Sequence, residues 1–577
     1  MKLIIRQYVA SLREREELDR ILPDLLCELG YNVLSRPSVG TRQYGVDIAA
    51  VGKDEGEEKL FLLSVKQGDL LRQDWEGSPQ ALRPSLDEIR QIYLRLRVPR
   101  EFQKLKVVIC LCFGGDVHEA VQDNVTGYIE EHTDDRISFQ QWNGDKIAGM
   151  LSNGILRDTL GSKELKASFQ KAVAMVDEPE ICNEHFSRLI RQLCNPTDPK
   201  AKERLSKSKG RLTAIRQLYL CLWILFVWAR DAENVEGAYL ACEEAILRCW
   251  GAFNSHLGKK LAASEELGEA FGELVDLSET IFEALAEDKI FPHVDKLHSI
   301  SMAVHSQSPV DVNLKLFDLV GRFAIYGFWR LWRKSGTDHL PKSRDNWNDS
   351  KTQALTQNLV LLIRNNPALL SPLQDSQSID ITLALLLLSM QERWRPAAAN
   401  WIDALAANVR FTYLTQSRYP TIQEAYRELL YHPRERTDEY RKEQTAGSTL
   451  LPTLAIWADC IGATETAEHF PAFIRDEMSH CNCQLWFPDE ASESRLYSGD
   501  DRHGAMLNTL PIATDLPEVR SQIEQECQTS THFDSLSAIE MGHWPILLMA
   551  CRHYRVPVPP NVWIGMFWKS ETDEVGS

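Results

Sequence analysis

At 577 residues, with 44% hydrophobic and 25% charged side chains, the chain has the length of three or four domains and the composition of an ordinary soluble globular protein. Thirteen cysteines, an odd number scattered without a framework, fit reduced thiols, and a net charge of −18 is not that of a polycationic nucleic-acid binder. The apolar run in Met1–Arg6 is too short for a signal peptide, so a cytoplasmic location and no membrane association are expected.

In chain order, the pattern predicts a helix over about 11–29, strands near 31–37, 45–52 and 59–67, and a helix near 85–97. A nearly continuous apolar strand follows at Leu105–Cys112, as expected of a central strand covered on both faces. Then come a helix (Val117–His132), a strand (Arg136–Trp142) and a short helix (Asp145–Leu151). The polar run Lys53–Glu58 reads as the turn of a hairpin. Alternation along the return strand puts Ser64 and Lys66 on one face, with Val65 and Gln67 on the other. Asp47, in Gly45-Val46-Asp47-Ile48, and Lys66 therefore fall at the same end of the hairpin.

An acid and a lysine on neighbouring strands suit phosphodiester hydrolysis. The phosphate's negative charge repels the attacking water, so such a hydrolase uses a divalent cation held by carboxylates. Mg²⁺ is hard and keeps several waters, so one or two carboxylates with a backbone carbonyl suffice. A neighbouring lysine can orient the water or stabilise developing charge.

The region resembles the PD-(D/E)xK nuclease superfamily, and within it the Mrr-like restriction endonucleases. The resemblance rests on Leu29-Gly30-Tyr31 closing a helix, on Gly45-Val46-Asp47, and on Ser64-Val65-Lys66 in the Glu/Gln-x-Lys slot. Asp19, eleven residues before Gly30, falls where the family often has a helix glutamate. What it implies is a mixed-sheet αβββαβ core with Asp47 and Lys66 catalytic. Mg²⁺ (or Mn²⁺) would be held by Asp47, Asp19 and the Val65 carbonyl, with Ser64 a weak ligand. Ser64 is the departure from the pattern, and Glu17 or Asp69 are alternative acids.

Residues 1–165 carry 22 Lys and Arg against 27 Asp and Glu, so most of the acidity lies further on. Just after the candidate site, Arg83, Arg90, Arg95, Arg97, Arg100, Lys104 and Lys106 outnumber Asp87, Glu88 and Glu101. Arg90, Arg95 and Arg97 are candidates to track a phosphate backbone, with a solvated face carrying pairs such as Asp87–Arg90 as the alternative.

From about residue 166 the pattern is that of long amphipathic helices with no strand. Val235, Tyr239, Cys242, Ile246, Cys249 and Phe253, then Leu267, Phe271, Leu274, Ser278, Ile281 and Leu285, step by fours and threes as two helices of one hairpin. Further helices are expected at about 310–334, 352–369, 379–391, 396–415, 436–461 and 536–555. The apolar runs Leu218–Ala229 and Ile381–Met390 fall short of a membrane span and read as buried helices. Polar stretches at Asn195–Arg211 and Lys334–Lys351 are boundary candidates. The expected division is a nuclease-like domain at 1–165, then helical domains at 166–345 and 346–577, the last two either separate or continuous. His480, Cys481 and Cys483, with Cys460, His469 or His503, are weighed as a zinc set, against a chance cluster. No Walker loop, G-x-G-x-x-G or G-x-S-x-G motif occurs, so any ATPase would be a separate partner.

The expected activity is that of a metal-dependent DNA endonuclease. Its helical part would sense a trigger, bind a protein partner or drive homo-oligomerisation, as in prokaryotic restriction or anti-phage defence effectors. The alternative is an inactive nuclease-fold scaffold for DNA binding or complex assembly.

Overall fold

The computed structural model describes residues 2–12, 18–35, 43–54, 56–153, 163–257, 262–287, 289–335, 340, 350–499, 503–513 and 516–568. The chain divides into two compact units, one of residues 1–246 with 259–281 and the other of 247–258 with 282–577.

The first unit opens with helices α1 (Lys2–Ser11) and α2 (Asp19–Glu28), then strands β1 (Asn32–Ser35), β2 (Ile48–Asp54) and β3 (Glu57–Lys66). Short helices α3 (Arg72–Glu76), α4 (Leu82–Glu88) and α5 (Leu94–Leu96) precede β4 (Lys106–Phe113), α6 (Glu119–His132), β5 (Ile137–Trp142) and α7 (Gly144–Asn153). The five strands lie in sequence order in one mixed sheet: β1, β2 and β3 are antiparallel neighbours, while β3, β4 and β5 run parallel. An α/β region followed by a large helical region is therefore what the chain forms.

Side-chain alternation sorts the sheet into two faces. Ala49, Val51, Leu60, Leu62, Val107, Ile109 and Leu111 are buried beneath Leu82, Leu86 and Ile89 on one helix and Val121, Val125 and Tyr128 on another. Burial of each leucine or isoleucine contributes about 2 kcal/mol. The opposite face carries Phe61, in edge contact with Tyr31 at 5.0 Å and tilted against Trp142 at 6.4 Å. Gly52 is glycine because Tyr31 lies on it: an added Cβ would sit 2.1 Å from the ring.

Several details differ from the pattern-based expectation. The helix expected from residue 11 begins, within the described residues, at Asp19, and α1 precedes it. The hairpin turn is tighter than Lys53–Glu58, because Lys53 pairs with Glu58 and Asp54 with Glu57. Asn195–Arg211 contains a helix, Pro199–Ser206, and the start of another. Lys334–Lys351 lies mostly outside the described residues.

Helix Ser208–Asp231 is, by length and composition, long and apolar enough to cross a membrane, yet 83% of its most apolar window is buried within the fold. The paired helices appear as Glu236–Leu257 and Ala262–Ala286, joined by the Cys242 thiol on the Leu274 carbonyl at 3.7 Å. The second unit is helical but holds two small sheets, Gly447–Ser448 with Asn482–Cys483 and Leu485–Phe487 with Ala505–Leu507, so the expectation of no strand after residue 166 is corrected. Their two- and three-residue length leaves no alternation to read. The same strand at Gly447 splits the expected 436–461 helix into Asp438–Gln444 and Leu450–Ile461.

A buried histidine in this unit sets a pH dependence. His432 Nε2 faces the Tyr419 carbonyl at 3.0 Å, which can only accept, so Nε2 carries the proton and Nδ1 receives the Tyr440 hydroxyl at 3.2 Å. Burial holds its pKa down at about 4, against the opposing pull of the Tyr419 carbonyl. The unfolded chain then binds a proton that the folded chain refuses, so this site's stability is intact above pH 6.5 and is lost as pH falls toward 4. Urea unfolding of wild type and His432→Gln at pH 7 and pH 5 should show a smaller loss in the variant; equal losses would contradict this assignment.

Candidate active site

Two features of β3 make the site. Its apolar core positions fix the register against β2, with Ile48 across from Leu63 and Ala49 across from Leu62, and continuing that register brings Asp47 opposite Ser64. Its last residue, Lys66, pairs with Phe113 of β4 and is half-buried. Ladder pairing ends at Ile48, and the chain bends at Asp47. There the Asp47 amide donates to the Leu63 carbonyl at 2.9 Å, and Asp47 Oδ2 accepts the Val65 amide at 2.8 Å.

That last bond locates the carboxylate beside the stretch Ser64-Val65-Lys66. A strand residue presents its N–H and C=O to the same side, so the Val65 carbonyl faces the side on which Asp47 sits. The Val65 amide occupies one of the carboxylate's roughly four acceptor positions. Ser64 is 1% exposed, on the face that carries Leu60 and Leu62.

The approach to Asp47 is constrained by glycine. Gly45 has φ +79°, and a Cβ there would lie 2.2 Å from the Ser85 carbonyl of α4. Only glycine brings the Tyr44–Asp47 turn this close to the helix. Tyr44, also at positive φ, lies under the Arg97 guanidinium, 5.4 Å from ring centroid to Cζ. Nothing in the sequence signalled that contact.

No family model, curated protein or solved structure matches the chain.

The other candidates are distributed as follows. Asp69 lies in the loop after β3, its Oδ1 accepting the Asp116 amide at 2.8 Å, and so braces the loop after β4. That corner also holds Arg6 paired with Asp116 and, at 3.3 Å, with Asp145, a set the sequence did not single out. Arg90 pairs with Asp87 at 3.8 Å, and Asp87 accepts the Tyr128 hydroxyl at 2.7 Å. Arg95 and Arg97 are exposed. Glu17 lies outside the described residues; Asp19 opens α2, and its side chain lies outside them too. Among the described residues no group of three or more His, Cys, Asp or Glu is placed to hold a metal. The zinc alternative is not assembled there: His480 Nε2 meets Thr445 Oγ1 at 2.9 Å, whereas His503 stands against Trp486 and Ser492.

Proposed function

We propose that the N-terminal region is a Mg²⁺- or Mn²⁺-dependent DNA endonuclease and that the helical remainder senses a trigger, binds a partner or drives oligomerisation, in the manner of a restriction or anti-phage effector. The observation that carries this is the Asp47 carboxylate seated on the Val65 amide, one residue from Lys66, at the end of the β2–β3 hairpin. The element order, two helices and three strands followed by helix and strand, supports it.

The donor types suit a hard cation: Asp47 and the Val65 carbonyl would hold it, and such an ion keeps several waters in its own shell. When bound, such an ion lowers the pKa of water and neutralises charge on the phosphate. The chain's own residues supply position. Asp47 is fixed by its amide bond. Lys66 shares a face with Ser64 and leaves the buried stretch at the strand's end, where its ammonium can orient the attacking water and stabilise the charge that builds on the phosphate. Gly45 lets the turn before Asp47 pack against the Ser85 carbonyl of α4.

Titrating Mg²⁺ or Mn²⁺ into the full chain by calorimetry should give a binding heat that Asp47→Asn loses. Identical heats in both proteins would reject the site.

One observation favours a second reading, a scaffold that has lost its chemistry. Ser64 occupies the slot of a carboxylate or carboxamide and is buried. The endonuclease reading predicts that Ser64→Glu binds metal more tightly and cuts at least as fast as wild type. The scaffold reading predicts no cleavage in either.

A further inference from the structure

Leu82, Leu86, Ile89, Tyr93 and Leu96 step by fours and threes, so an unbroken α-helix would bury all five on one stripe. The first three are fully buried, yet Leu96 is 72% exposed, more than any other large apolar side chain described in its unit. The reason is a π turn over Ile89–Tyr93, which adds a residue to the helical repeat. Past the π turn Tyr93 and Leu94 are partly buried against the core, the helix ends at Leu96, which faces outward, and Val98 is buried in the bend that follows.

Its neighbours are cationic. Arg95, Arg97, Arg100 and Lys104 are all exposed. By contrast Arg83, Arg90 and Lys106 of the same segment pair with Glu76, Asp87 and Glu57. Among the described residues Arg95, Arg100 and Lys104 have no acidic partner, and Arg97 lies over Tyr44, three residues before Asp47. Leu96 lies between Arg95 and Arg97 in the chain, with Arg100 and Lys104 following; an exposed leucine among exposed cations, near the turn that carries Asp47, has the chemistry of a duplex-DNA contact. The cations meet phosphates, and the leucine enters the minor groove against a base step.

We infer that the π turn presents Leu96 as a minor-groove wedge, with Arg95, Arg97, Arg100 and Lys104 gripping the flanking phosphates of double-stranded DNA. This deepens the endonuclease reading, and its choice of nucleic acid rests on that reading. It also moves the phosphate contact away from Arg90, which serves the fold through Asp87.

The test uses the full chain, a fluorescent 20-base-pair duplex and EDTA, so that binding is read without cutting. Each phosphate contact removed lowers the slope of log affinity against log salt by about one, so Arg95→Ala/Arg100→Ala/Lys104→Ala should lower it by about three. Leu96→Ala should keep the slope, weaken binding several-fold and reduce the bend seen by end-to-end energy transfer. Wild-type slope and affinity in the triple variant would overturn the inference, as would equal affinity for polyglutamate, which would mark an acidic protein surface as the partner. Binding through these residues by a chain that never cuts supports the wedge and sinks the endonuclease reading. Cutting at a rate indifferent to the triple substitution does the reverse.

Discussion

Replacing Asp47 with alanine is expected to lower Mg²⁺-dependent plasmid cleavage by at least about a thousandfold, equivalent to about 4 kcal/mol of transition-state stabilisation. The substitution removes the carboxylate that accepts the Val65 amide of β3 and leaves that amide without its acceptor. Lys66→Ala should cost about a hundredfold to ten-thousandfold, the range for losing one positioned proton-handling or charge-stabilising group. The two should differ in metal dependence. Raised Mn²⁺ should leave Asp47→Ala inactive, because its ligand is gone, while Lys66→Ala keeps a wild-type metal midpoint with a lower maximal rate. Equal cutting by wild type and both variants would reject the assignment.

The second large effect concerns stability. Asp380, 1% exposed, accepts both guanidinium nitrogens of Arg555, at 3.1 and 2.9 Å. Arg552 and Arg322, themselves 3% and 4% exposed, share Asp318 at 2.7 and 2.6 Å. Burial pushes the Asp380 carboxyl up, and Arg555 opposes that shift. Gly321 is packed against the pair, since a Cβ there would lie 2.3 Å from Asp380 Oδ1. Asp380→Ala leaves three arginines around one carboxylate; breaking a fully buried pair from one side costs about 3–5 kcal/mol, and the loss here is smaller because the Arg555 side chain is 35% exposed and also donates to the Ser376 carbonyl. Tryptophan-detected urea unfolding should show a corresponding fall in midpoint; a loss under about 1 kcal/mol would show that water reaches the cluster and compensates for the missing acid.

The sequence made the strands legible because their physics is local. Leu105–Cys112 is continuously apolar and became β4, covered on both faces; the alternation around Ser64 and Lys66 became the end of β3. The order of elements around Asp47 followed from the same patterns. What the sequence hid depends on contacts distant along the chain or on small backbone departures. The π turn over Ile89–Tyr93 is invisible to a period of 3.6, which gives only a helix near 85–97 and does not mark Leu96 as exposed. Strands of two or three residues have no period at all. Arg90 and Arg97 look alike in a charge count, but one pairs with Asp87 within its own helix and the other lies on Tyr44, which precedes it by 53 positions. Asp69 looked like a spare metal ligand, and its bond to the Asp116 amide became apparent only once β3 and β4 ran parallel.

The most direct test of the central claim is anomalous diffraction from crystals of the full chain soaked in MnCl₂. The expected result is a manganese peak at about 2.1 Å from an Asp47 carboxylate oxygen and from the Val65 carbonyl, with the Lys66 ammonium facing the same solvent pocket. A map with manganese bound only elsewhere, and none between Asp47 and Val65, would contradict the claim.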